Sequence, residues 1–216
     1  MRHDGAHHQG LKPLDRSRAA VLSTMLAWAK TAARYPQTPE HLDTLLESSE
    51  PLVHNLPSAQ PFLEELLSRW MEGPHTVLEA HQVEYTRLFV ARWGGVPAPL
   101  YASWYLNRES FAGNAMEAAL SFYQRWGVMW QETPLKEPPD HLAVELEFLE
   151  ILCAAARSGP EKRGERAEAA SVLWNDFRRT HFDLWVPRCV QAMEQHAAMP
   201  VYKILALILR QLCEGE

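Results

Sequence analysis

The chain has 216 residues, 47% of them apolar, with eight Trp, fifteen Pro and a formal charge of −6 at pH 7. That apolar mass suffices for one large domain or two small ones sharing a core, and the acidic balance argues against a nucleic-acid binder that works by neutralising phosphates. Three widely spaced cysteines, Cys153, Cys189 and Cys213, with no Cys-x-x-Cys, exclude a disulfide framework and a Cys-rich zinc site and fit a reducing compartment.

Residues 1–12 are polar and expected to be a disordered tail. The apolar stretch from Ala19 to Ala29 is interrupted by Ser23 and Thr24 and precedes no cleavage pattern. Helical periodicity then dominates. It predicts helices over 15–34, 39–47, 59–72 and 75–91, with stops at Tyr35-Pro36 and Gly73-Pro74. A break follows at Trp93-Gly94-Gly95-Val96-Pro97-Ala98-Pro99, then a long helix over 103–129 and a proline-rich loop over 131–139. Helices over 141–157, 163–179, 181–196 and 199–213 complete the chain, with Pro187 expected to kink or start its segment.

Leu142, Leu146, Leu149, Leu152 and Cys153 recur at three and four, as do Trp174, Phe177, Phe182, Trp185 and Cys189, which marks core faces. Cys153 and Cys189 are expected to pack as small hydrophobes. The expected fold is all-α: a single globular helical domain of about nine helices, with an N-terminal half over 13–130 and a C-terminal half over 140–216 joined by a hinge at 131–139. Opening of that hinge could exchange the halves between copies, so a monomer able to form a domain-swapped dimer is expected. Ile204 to Leu209 is too short an apolar run to span a bilayer, and the chain reads as soluble and cytoplasmic.

Two constellations carry chemistry. Glu137-Pro138-Pro139-Asp140-His141 delivers an acid and an imidazole on a proline-stiffened corner. Asp140 is readable as the N-cap of the helix that follows. His141 has no such explanation, and Glu132, Glu137, Asp140, Glu145, Glu147 and Glu150 face only Lys136 in that stretch. This is either a solvated acidic face or a site for a cationic peptide, with His141 able to tune affinity near neutral pH. The second constellation is Leu100-Tyr101-Ala102-Ser103-Trp104-Tyr105 after the glycine–proline break. It reads either as a helix–loop–helix corner capped by Ser103 or as an aromatic binding surface of Tyr101, Trp104 and Tyr105.

No metal or cofactor is expected. Glu72-Gly73-Pro74-His75 is the only Glu-x-x-His spacing and its glycine and proline break the helix it would need; His141 and Glu145 supply only two ligands. Hydrolase and Walker motifs are absent. Arg178-Arg179 is a twin arginine, but internal and helical, hence no export signal.

The blocks EYTRLFV (84–90), PLYASWY (99–105), EPPDHLAVELEFL (137–149), HFDLWVP (181–187) and PVY (200–202), in this order over roughly 75–213, resemble the TorD/DmsD/NarJ-like redox-enzyme maturation chaperones. The resemblance implies an all-α cytoplasmic chaperone without catalytic turnover. It would bind the twin-arginine signal peptide and apo catalytic subunit of a molybdenum-cofactor oxidoreductase, assist cofactor insertion and prevent premature export. By motif match, the peptide site would involve Pro138, Asp140 and His141, with Tyr101, Ser103 and Tyr105 nearby; the acid Glu137 and the ring of Trp104 join them on chemical grounds. Two alternatives stand beside this: a non-chaperone helical interaction module, and a small helical hydrolase using Asp140 and His141 as an acid–base pair.

Overall fold

The computed structural model describes residues 14–106, 114–129, 137–157 and 163–214. The expected N-terminal tail and most of the expected hinge lie outside the described residues. Among those described there is no strand, and the all-α expectation holds.

Eleven α-helices are described: α1 (Arg16–Ala32), α2 (Pro39–Glu47), α3 (Ser49–Asn55), α4 (Gln60–Glu72), α5 (Pro74–Tyr85), α6 (Ala102–Leu106), α7 (Ala115–Arg125), α8 (Leu142–Arg157), α9 (Arg163–Phe177), α10 (Asp183–His196) and α11 (Pro200–Glu214). Local chemistry explains many of the boundaries. Asp15 accepts the Arg18 N–H and Asn114 the Met116 N–H as N-caps. Prolines open α2, α5 and α11, where their missing N–H costs nothing.

Three expectations are corrected. The long helix over 103–129 is two helices, α6 and α7. The stretch after α2 holds a further helix, α3, which the loop-like Ser48-Ser49-Glu50-Pro51 run concealed; Pro51 sits in the first turn of that helix, where proline is tolerated. The helix ending at 91 changes to π geometry over Thr86–Val90, and a second π segment, Arg178–Phe182, joins α9 to α10. α10 starts at Asp183, directly after that segment, so Pro187 falls just past its first turn and gives up a single backbone bond.

One core unites the helices. α1 lies along α8 and α11; α11 also packs on α10 and α4, and α9 packs on α8. The predicted core stripes of α8 and of the 174–189 stretch are fully buried, Cys153 and Cys189 included. Charged straps cross the α1–α8 seam: Lys30 pairs with Glu150, and Arg34 with Glu147 at 2.9 Å. No described helix is long and apolar enough to cross a membrane.

Candidate functional site

The proline corner and the aromatic segment meet. Tyr101 and His141 form an isolated antiparallel bridge, in which Ala102 N donates to Asp140 O at 2.9 Å and Leu142 N to Leu100 O at 2.8 Å. Their rings touch edge to face at 4.9 Å. The Asp140 carboxylate reaches across the chain: its Oδ2 accepts the Ser103 N–H at 2.9 Å and so caps α6. His141 Nδ1 accepts the Ala143 N–H at 3.2 Å and its carbonyl accepts from Val144 and Glu145, so His141 caps α8. The assignments of Asp140 as cap of its own helix and of Ser103 as cap of α6 are therefore corrected. A carboxylate capping a neighbouring helix is invisible to local spacing.

Both residues are buried, Asp140 at 3% and His141 at 1% exposure. Burial, with the Arg34 charge nearby, pulls the His141 ring down to about 3, so it is neutral at physiological pH. The expectation that it titrates near neutrality is overturned. Its Nε2 stands 4.0 Å from Glu137 Oε2, an approach without an ion pair because the ring is uncharged. Tyr123 of α7 donates from its hydroxyl to Pro139 O at 2.6 Å and braces the corner from below.

The remaining predicted residues divide. Tyr105 stacks on Trp185 of α10 (5.5 Å, 28°), and Arg188 donates to its carbonyl at 3.0 Å, so this ring faces the helical interior. Tyr101 and Ser103 are half-buried, Trp104 is 41% exposed, and Glu137 and Pro138 lie at the surface edge of the corner. The acid run is not a bare face either. Glu132 lies outside the described residues; Glu150 is paired with Lys30 of α1 and Glu147 with Arg34 just after that helix, while Glu145 is fully buried, its Oε1 2.7 Å from His181 Nε2 and its Oε2 accepting from Trp185 Nε1 at 3.1 Å.

Beside the corner opens a cleft of about 700 Å³, bounded by the end of α1, the start of α2, the residues after α7, and α8. Glu137 is the one predicted site residue on its wall. Among the described residues, Glu40, Glu137 and Glu147 place three carboxylates there with the guanidinium of Arg34; Tyr35, Val128, Met129, Val144, Phe148 and Ile151 supply apolar surface. Met129 is 81% exposed. The Thr38 hydroxyl and its own backbone amide hold the Glu40 carboxyl below its ordinary range. His41 lies on the same wall, its ring 6.0 Å from that of buried His81, and burial, then Arg34, pulls it down to about 4. Sequence reasoning missed Arg34, Tyr35, Glu40 and His41. The signal available was Arg34-Tyr35-Pro36 breaking a helix just before an acid and a histidine, but nothing local joins it to α8.

Comparison with known proteins bears out the family resemblance. The chain is 29% identical to the chaperone protein TorD of Vibrio parahaemolyticus over 78% of its own length and 73% of that protein. It is 30% identical to a selenate reductase assembly chaperone protein of Thauera selenatis, over 60% of this chain and 65% of the relative. A chlorate reductase assembly chaperone protein of Ideonella dechloratans is 33% identical over 54% of this chain and 58% of that one. The fold matches that of an Archaeoglobus fulgidus protein assigned as a redox enzyme maturation protein, at TM-score 0.55 and 24% identity over 99% of both chains. The nitrate reductase delta subunit profile matches residues 50–191, more than half of the chain, and on that match the protein belongs to this family of molybdoenzyme maturation chaperones.

Proposed function

We propose that the protein is a cytoplasmic chaperone that receives the arginine-bearing leader of a molybdopterin oxidoreductase's apo catalytic subunit, holds that subunit until its cofactor is inserted and delays its export. The observation that carries this reading is the cleft in which three carboxylates adjoin a broad apolar wall. A leader of that class has a basic end and an apolar stretch, and each meets its complement. Guanidinium forks bond carboxylates well.

Magnitudes assign the work. Exposed ion pairs contribute about 0.2–1 kcal/mol each, so three carboxylates supply at most ~3 kcal/mol, weaker than millimolar binding. Apolar burial has to provide the rest: at about 25 cal/mol per Å², some ~200 Å² on the wall adds ~5 kcal/mol before ordering costs. The acids thus select and orient, and the wall holds.

In this reading Glu137 and Pro138 touch the peptide where the corner meets the cleft. Asp140, His141, Tyr101 and Ser103 act through the corner, keeping Glu137 in place. Trp104, 41% exposed, turns part of its surface toward a further part of the client, and Tyr105 anchors that segment to α10. The burial of Asp140 and His141 and their bonds to the backbone disfavour the hydrolase alternative, since neither can reach a substrate proton.

Calorimetric titration with a synthetic peptide of two adjacent arginines followed by a leucine-rich tail tests the reading. Micromolar to millimolar binding is expected, falling about tenfold for the variant peptide with glutamines in place of both arginines and about 2–5-fold for Glu137→Gln. No heat from the arginine peptide, with folded protein, would end it. Capture from the native host separates the interaction-module alternative: a molybdopterin oxidoreductase subunit is expected, and exclusive recovery of regulatory proteins would favour the module.

A further inference from the structure

The guanidinium already present in the cleft has a bearing on how a cationic leader is held and let go. Arg34 follows the last residues of α1 and donates from Nη2 to Glu147 Oε2 at 2.9 Å, and both residues line the cleft. Both side chains are about half exposed, at 45% and 50%. One turn earlier, Lys30 pairs with Glu150 along the same seam, but that pair is more enclosed, at 22% and 29%, and does not line the cleft. The two straps therefore differ: one is the more enclosed, and the other is half exposed on the cleft wall. Glu40 and Glu137, the other carboxylates of the wall, have no Arg or Lys within ion-pair distance among the described residues.

We propose that Arg34 is an internal competitor for the client's arginine: it occupies Glu147 in the empty cleft, is displaced when a leader guanidinium takes that carboxylate, and returns to it on release. This rests on the peptide-binding reading above. Exchange of one guanidinium for another leaves Glu147 paired throughout, so no buried or half-buried charge is stranded at either stage. The displaced Arg34 moves to water, which costs little for a half-exposed pair. Two consequences follow. Binding is weaker than the bare acid set would give, and the returning side chain helps expel the leader, as a chaperone that must surrender its client requires. The competition concerns the charged end of the leader alone, because Arg34 leaves the apolar wall untouched.

The test titrates the arginine peptide and its glutamine counterpart into wild type, Arg34→Gln, Glu147→Gln and the double variant at low salt, with thermal melting to confirm folding. Arg34→Gln is expected to bind the arginine peptide about 2–5-fold more tightly than wild type, the range set by the strength of an exposed ion pair. The glutamine peptide should show no gain, and the gain should vanish when Glu147→Gln is also present. Wild-type binding that Arg34→Gln leaves unchanged or weakens overturns the competitor role while the peptide reading stands. A gain that persists undiminished in the double variant also overturns it, since Arg34 would then act by general repulsion. Failure of both wild type and Arg34→Gln to bind either peptide overturns the peptide reading and the competitor role together.

Discussion

Glu145 is ionisable, fully enclosed and still satisfied: its two carboxylate oxygens engage His181 and Trp185. Burial raises its pKa despite these partners, and Glu145 in turn outweighs burial at His181 and holds that ring above its ordinary value. Removing one member of such a group strands the other. Glu145→Ala is expected to cost about 3–5 kcal/mol in urea unfolding, a large share of the whole stability, and to cost less in combination with His181→Leu. Asp140→Ala is milder in kind, because the lost group is a cap to Ser103: about 1–2 kcal/mol, with peptide affinity falling through displacement of Glu137. If Asp140→Ala abolishes binding with stability unchanged, the carboxylate contacts the client itself. His81 presents the opposite case. Neither ring nitrogen has a partner among the described residues, and the ring is wedged against Tyr202 at 4.9 Å. His81→Phe should raise the melting temperature, by the equivalent of about 1–2 kcal/mol, since it removes two unpaired buried polar atoms at little change in shape.

Among elements, α11 is the most demanding. Val201, Tyr202, Ile204, Leu205, Ile208 and Leu209 are all at 0% exposure, and the helix is gripped by α1, α4 and α10 at once. A cavity there cannot be closed by one neighbour moving. Leu205→Ala should cost about 2–5 kcal/mol by chemical denaturation, whereas truncation at half-exposed Leu184 of α10 should cost well under 1 kcal/mol. α8 performs two duties along its length. Its first turn is held by His141, its inner stripe is core, and its outer face presents Val144, Glu147 and Ile151 to the cleft. That division is the familiar amphipathic one, except that the outward face contributes to a binding wall.

At the level of the whole molecule, three histidines are kept neutral by burial: His41 at about 4, His81 at about 3 and His141 at about 3. In the unfolded chain each titrates near 6.5. Below that value the unfolded state binds more protons than the folded one, so stability falls as pH falls, by up to ~1.4 kcal/mol per unit per ring and ~4 kcal/mol per unit for all three. His181 runs the other way, its contribution being lost as pH rises through its raised value. Urea unfolding at pH 7.5, 6 and 5 should therefore show a steep loss toward the acid side, shallower in His81→Phe. A flat profile would mean that these rings are solvated in the folded state.

Helix content, most of the stops, the core stripes of α8 and α10 and the family were all legible in the residues, because periodicity, proline and glycine placement and ordered motif blocks are local properties of a chain. The meeting of Tyr101 with His141 was anticipated only as proximity between two motifs. That Asp140 caps α6, that His141 is sealed and neutral, that Tyr105 turns to Trp185, and that Arg34 and Glu40 share a cleft with Glu137 and Glu147 depends on which helices lie side by side. Spacing along a chain records which face of its own helix a side chain occupies. The dielectric and the partners it meets are set by another helix, distant in sequence, packed against that face.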